Sequence, residues 1–200
     1  MKLYFAPQTR AVRPRWLLEE LGVPYEIVPI DLTKGEHKKP EYMKIHPHGA
    51  VPALVDGDLA LFESAAICMY LADKYAEKKL APAVGTAARG LYYQWMIYAM
   101  ATLEPPVVQI FFNTVMLPEA ERSAAAVEKA KTQFADVARV LSSALATRPY
   151  ILGEQFSAAD VLIGGTIGWA GMMGLLGEHP TLQAYAQRLS ERPAFQRARS

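Results

Sequence analysis

Cysteine is nearly absent from this 200-residue chain, with Cys68 the single one. One thiol cannot form an internal disulfide framework or supply the cysteine cluster of a structural zinc site. The histidines do not make up for it: His46 and His48 flank Pro47, and no cysteine joins them, so no metal is expected. An excess of charge of one sign is missing too. The 21 Lys and Arg nearly balance 20 Asp and Glu, leaving +1 and no basic run, which argues against nucleic acid as a partner. Long hydrophobic runs are also lacking. The longest, from Val161 to Leu176, is short for a membrane span and rich in glycine. Met1-Lys2 leads straight into a strand-like segment, so no signal peptide is expected and a cytoplasmic address fits. No G-x-S-x-G, P-loop or G-x-G-x-x-G pattern occurs, and no repeat or low-complexity tract.

What is present is ample material for a core. Hydrophobic residues make up 52% of the chain against 20% charged, and the length suits one large domain or two small ones. Eight methionines and 10% aromatics point to adaptable apolar surfaces, which suit broad ligand choice.

The stretch His46 to Ser64, HPHGAVPALVDGDLALFES, carries the most chemistry. A loop enters Val51-Pro52, then a short apolar strand (Ala53-Leu54-Val55), a hairpin-type turn (Asp56-Gly57-Asp58) and a returning strand through Leu59, Leu61 and Phe62. Pro52 cannot donate to a ladder. A cis Val51-Pro52 bond would turn the main chain of Val51 outward, where an extended peptide can pair with it. Ser64 is placed at the N-cap of the next helix, where free N–H groups and the positive dipole end suit a carboxylate. Glu63 beside it suits an ammonium. Together they describe the end of an amino acid.

In order and spacing, HPHGAVPAL followed by FESAAI resembles the glutathione-binding core of the glutathione transferase family, NPxGxVPxL followed by ExxAI, with His46 in place of the usual Asn. The resemblance implies a cis Val51-Pro52 bond, pairing of Val51 with the cysteinyl unit of glutathione, and capture of the γ-glutamyl end by Glu63 and Ser64. It covers nearly the whole chain and is strongest over residues 2 to 80.

The remaining N-terminal segments read as β-α-β: a strand at Lys2 to Phe5, a helix from Arg10 to Leu21 with Val12, Trp16, Leu17 and Leu21 on one face, and a strand at Tyr25 to Ile30. Gly22 is a good helix stop, and Pro14 is tolerable in a first turn. With the hairpin and a helix from Ala65 to Lys79, the order β-α-β then β-β-α is thioredoxin-like. Right-handed crossover makes the first two strands parallel.

Thr9 sits where the first strand hands over to its helix. A hydroxyl there can donate to an anionic sulfur, and the thiolate is the nucleophile. Thr9 aligns with the serine of Ser-type glutathione transferases. Tyr4, in a Tyr-Phe context similar to that of Tyr-type members, is the rival, and Thr9 is favoured because Tyr4 lies inside the strand. The loop Glu36-His37-Lys38-Lys39-Pro40-Glu41 resembles one in the plant phi class. The resemblance implies that His37 and Lys38 reach the glycyl carboxylate, as two cations near a carboxylate should.

Residues 1–80 are thus expected to form the thioredoxin-like domain, 81–86 a Pro/Gly linker, and 87–200 an all-helical domain. Its helices are expected over 86–103, with Leu91, Trp95, Tyr98 and Thr102 recurring, then 107–117, 118–147 with Val127, Phe134, Val137 and Leu141 inside, 161–176, 181–190 and 194–199. Pro105-Pro106 must break or kink the first of these. Ser157-x-x-Asp160 is a capping-box variant, and both residues are expected to serve folding. Phe5, Tyr98, Phe111, Phe112, Trp169 and Met172 are the expected lining of an acceptor-substrate pocket. Cys68 is expected to be a buried small hydrophobe. The resemblance implies a homodimeric enzyme joining glutathione to small hydrophobic electrophiles in detoxification. Isomerase or peroxidase chemistry on the same thiolate, or a non-catalytic binding role, are the alternatives.

Overall fold

The computed structural model describes residues 1–199. The chain forms two compact units: Met1–Ala81 together with the segment from Glu191, and Pro82–Ser190.

The first unit is built on a four-stranded sheet of order β2-β1-β3-β4, with β1 Lys2–Phe5, β2 Glu26–Pro29, β3 Ala53–Asp56 and β4 Leu59–Phe62. Helix α1 (Val12–Leu21) is the crossover that makes β1 and β2 parallel. β1 then pairs antiparallel with β3, Leu3 opposite Leu54, and β3 with β4 through a hairpin whose two-residue turn places Gly57 at φ +61°. Alternation buries Leu3 and Phe5 on one face of β1 and leaves Tyr4 half-buried on the other, against the ring of Tyr42 on the short helix α2 (Pro40–Met43). Helix α1 ends at Gly22, whose N–H bonds the Leu18 carbonyl from a left-handed conformation. Helix α3 (Ser64–Lys74) packs on α1 and buries Ile67, Cys68 and Leu71.

The second unit is helical: α4 Ala87–Tyr98, α5 Glu104–Phe111, α6 Ala124–Leu145, α7 Ala158–Met172 and α8 Pro180–Ser190. Pro105 and Pro106 lack N–H donors, and the turn before them, Ala99–Leu103, widens to π-helix rather than breaking. A second π turn follows at Phe112–Met116, where the side chains of Asn113 and Thr114 take the Gln109 and Ile110 carbonyls that the backbone would otherwise use. Asp160 is fully buried and accepts from the Ile151 and Ser157 N–H groups and from the Ser157 and Tyr185 hydroxyls, so it ties the start of α7 to α8.

Three local expectations differ from the structure. The face of α4 is rotated: Tyr92, Trp95, Met96 and Ala99 are buried, while Leu91 is 50% exposed and Thr102 is exposed. The segment expected as one helix from residue 118 starts instead at Ala124, because Ser123 caps it by accepting from the Ala126 N–H. The last helix, α9 (Pro193–Arg199), belongs to the first unit. Its Phe195 meets Trp16 edge-on at 4.6 Å, and Arg197 donates to Glu19 at 2.6 Å. No helix of the described residues is long and apolar enough to cross a membrane. Among them, no group of three or more His, Cys, Asp or Glu is placed to hold a metal.

Candidate active site

The residues expected to hold glutathione all belong to the first unit. The Val51-Pro52 bond is cis. β3 begins only at Ala53, and none of the described residues hydrogen-bonds the main chain of Val51. A donor and an acceptor are therefore left at the head of the strand for an extended ligand.

The loop carrying His37 and Lys38 packs against His48 and Gly49, two to three residues before Val51. Gly49 makes this possible. It sits at φ +55°, and a β-carbon there would fall 2.4 Å from the His37 carbonyl oxygen. The Lys38 ammonium donates to the His48 carbonyl at 2.8 Å, which ties the loop down while leaving other N–H donors on the ammonium. His37 Nδ1 is buried with no partner among the described residues. The Lys38 ammonium thus sits at the loop that leads into Val51.

At the other side of the hairpin, β4 runs into α3. Ser64 is the first residue of the helix rather than its N-cap. Glu63 holds the cap position with φ +74° and ψ 112°, a sparsely populated backbone for a residue with a β-carbon. The Glu63 carbonyl accepts the first helical bond, from Ile67 at 3.0 Å, so the N–H groups ahead of Ile67 form the open positive end of α3. Ser64 is buried, and its Oγ accepts from Arg13 Nη1 at 3.4 Å. The Glu63 side chain is exposed.

Thr9 is half-buried at the entry to α1. Its hydroxyl donates to the Ala6 carbonyl at 2.7 Å and accepts from the Ala11 N–H at 3.1 Å. A sulfur acceptor would have to take the place of the Ala6 carbonyl. Tyr4 lies in the middle of the sheet, in register with Val28 and Ala53.

Among the expected pocket residues, Phe111 and Trp169 meet edge-on at 5.1 Å, and Phe112 adjoins Phe111 at 6.3 Å. Tyr98 packs instead against Trp95 at 5.2 Å, and burial raises its phenol pKa. Met172 is 74% exposed. Phe5, in the first unit, lies under the Arg15 guanidinium at 4.9 Å. An open concavity of about 300 Å³ within the second unit, lined by Phe134, Leu175 and His179 among others, contains none of these residues.

Two further residues belong to the neighbourhood: His46, noted in the sequence as the replacement for the motif's Asn, and Arg13, which the sequence did not single out. His46 is buried beside Phe62 and His48, with Nδ1 unpartnered among the described residues. Burial, then the charges of His48 and Lys38, lower its pKa against the opposing pull of Glu63. Arg13 is buried on the face of α1 that meets α3. Its signal in the sequence was its spacing from the buried Trp16 and Leu17.

Comparison with known proteins agrees with this geometry. Residues 1–73 match the glutathione S-transferase N-terminal domain, and residues 103–193 the C-terminal domain. Glutathione S-transferase 3 of Zea mays is 36% identical, over 98% of this chain and 92% of its own. Disulfide-bond oxidoreductase YfcG of Escherichia coli is 30% identical, over 96% and 91%. The structure of glutathione transferase URE2P6 from Phanerochaete chrysosporium in complex with oxidized glutathione superposes with a TM-score of 0.89 at 29% identity, covering 98% of this chain and 93% of that one. The chain belongs to the glutathione S-transferase family, a family of transferase enzymes with a thioredoxin-like N-terminal sheet and a helical C-terminal region.

Proposed function

We propose that this protein is a glutathione transferase that joins the thiolate of reduced glutathione to small hydrophobic electrophiles. The observation that supports this best is the open main chain of Val51, flanked on one side by His37 and Lys38 and on the other by Glu63, Ser64 and the start of α3. The cysteinyl unit pairs with Val51, next to Pro52. The glycyl carboxylate meets His37 and Lys38. The γ-glutamyl ammonium meets Glu63, and its carboxylate meets Ser64 and the α3 N–H groups.

The thiol then lies toward Thr9. A free thiol titrates at about 8.5, and hydrogen bonding to the anion lowers that value. Thr9 exchanges the Ala6 carbonyl for the sulfur, a trade of one neutral bond for a charge-assisted one. The sulfur forms its bond to the electrophilic carbon, and the leaving group departs with its electron pair. Phe111, Phe112 and Trp169, which adjoin one another in the second unit, are the proposed lining for that electrophile. The same reading carries a homodimer, a cytoplasmic location and a role in detoxification.

The Escherichia coli relative's name favours a second reading, glutathione-dependent reduction of a disulfide. Cys68 does not serve it, because burial pushes its pKa up to about 12. The thiols come from two glutathione molecules, whose oxidation to their disulfide balances reduction of the substrate.

Calorimetric titration with glutathione, followed by assays with chlorodinitrobenzene, a hydroperoxide and a small disulfide, tests the proposal. Binding with conjugation is expected. Binding without any turnover favours a binding protein, and absence of binding removes every enzymatic reading.

A further inference from the structure

Helix α5 does not simply stop. It runs on into the π turn Phe112–Met116, where the Leu117 N–H bonds the Phe112 carbonyl, five residues back, at 2.9 Å. Such a turn adds one residue to a helix and moves the side chains after it onto a new face, and it recurs at functional sites. Phe112, at its start, is 45% exposed and adjoins Phe111, whose ring meets Trp169 of α7. The rings stand at 86° and 69° to one another along that series. One buried side chain holds the turn at both ends. Asn113 donates from its amide to the Gln109 carbonyl at 2.9 Å, and its amide oxygen accepts from the Ser123 N–H at 3.0 Å. The first bond occupies a carbonyl that the Asn113 N–H would take in an α-helix. The second fixes the turn against the start of α6. Helix α6 does not depend on it for a cap, because the Ser123 hydroxyl already accepts from the Ala126 N–H.

We infer that Asn113 is a positioning residue for the acceptor substrate, holding the π turn so that Phe112 stands with Phe111 and Trp169 to receive a planar aromatic electrophile. This rests on the transferase reading proposed above. A further ring gains from edge-on or offset contact with a series of tilted rings, whereas an electrophile without a ring gains only from the area it buries. Asn113 therefore sets selectivity between acceptors, through the turn, and leaves glutathione binding unaffected.

The test compares two electrophiles, chlorodinitrobenzene and iodomethane, on wild type, Asn113→Ala and Asn113→Asp. Steady-state kinetics at saturating glutathione gives kcat and KM, calorimetry gives glutathione affinity, and circular dichroism follows the fold. In Asn113→Ala, KM for chlorodinitrobenzene should rise about tenfold while kcat stays within about twofold. The kcat/KM for iodomethane and the Kd for glutathione should each stay within about twofold. Asn113→Asp keeps an acceptor for the Ser123 N–H and loses the donor to Gln109, so its KM should rise by about threefold. That variant carries the test if Asn113→Ala does not fold. If wild type turns over chlorodinitrobenzene alone, the change in KM decides. Equal losses for both electrophiles, an unchanged KM for chlorodinitrobenzene in the folded variants, or wild-type turnover of iodomethane alone overturns the role given to Asn113. A wild type that binds no glutathione, or binds it and turns over neither electrophile, overturns the transferase reading beneath it.

Discussion

Replacing Gly49 by alanine tests how the glycyl end of the site is built. The added β-carbon would lie 2.4 Å from the His37 carbonyl oxygen and 3.0 Å from Lys38 Cδ, with φ at +55°. A left-handed backbone costs a residue with a β-carbon about 1–2 kcal/mol. The short contact is with backbone, so the His37-Lys38 turn must move away. The Lys38–His48 bond then goes with it, for a net loss of about 1 kcal/mol. The sum is about 2–3 kcal/mol, which lowers the Tm of a chain of this size by roughly 4–12 °C. Displacing the two basic side chains should also weaken glutathione by about tenfold. Gly57→Ala is the control. Its φ is +61°, but nothing lies within 4 Å of the new β-carbon. It should show the backbone cost alone, about 1–2 kcal/mol, and unchanged glutathione affinity. Thermal unfolding and calorimetry on both variants decide the matter. Equal Tm and equal affinity in the two would refute the argument.

Thr9→Ala should lower kcat by about a hundredfold while glutathione affinity stays within about threefold, and Tyr4→Phe should change kcat less than about twofold; steady-state kinetics would assign the hydroxyl to Tyr4 if the order were reversed. Arg192 donates from Nε and Nη2 to Glu20 at 2.6 and 2.7 Å, and Glu20 also accepts from the Trp16 indole at 2.9 Å. Arg192→Ala should therefore cost about 1–2 kcal/mol in urea unfolding by loosening α9 from α1. Asp31 is held at about 2, below the ordinary 3.8, first by the Thr33 hydroxyl and then by Lys34. A lowered folded-state value means stability that is present above about pH 4 and lost as pH falls toward about 2. Asp31→Asn should flatten the acid limb of stability in that window, and an unchanged limb would contradict this.

The parts legible in the sequence were those set by neighbours along the chain. The hairpin followed from Asp56-Gly57-Asp58 between two apolar runs, and the crossover from Gly22 closing α1. Pro105-Pro106 announced a disturbance, though not that a π turn would absorb it. What escaped depends on contacts between distant segments. Arg13 meets Ser64 across 51 positions, and Arg192 meets Glu20 across 172. Periodicity reports which face of a helix is apolar but not which partner covers it. For the same reason α9 read as the tail of the helical domain, and Leu91 as a buried residue. Gly49 stood within a recognisable motif, yet its close approach to His37 needed coordinates.

The central claim is that the bound tripeptide is held as a thiolate beside Thr9. The pKa of glutathione on the protein, followed by ultraviolet thiolate absorbance across a pH series, measures it directly. The account predicts a bound value of about 7 or below, returning toward about 8.5 in Thr9→Ala. A bound thiol that titrates as it does in free solution would contradict it.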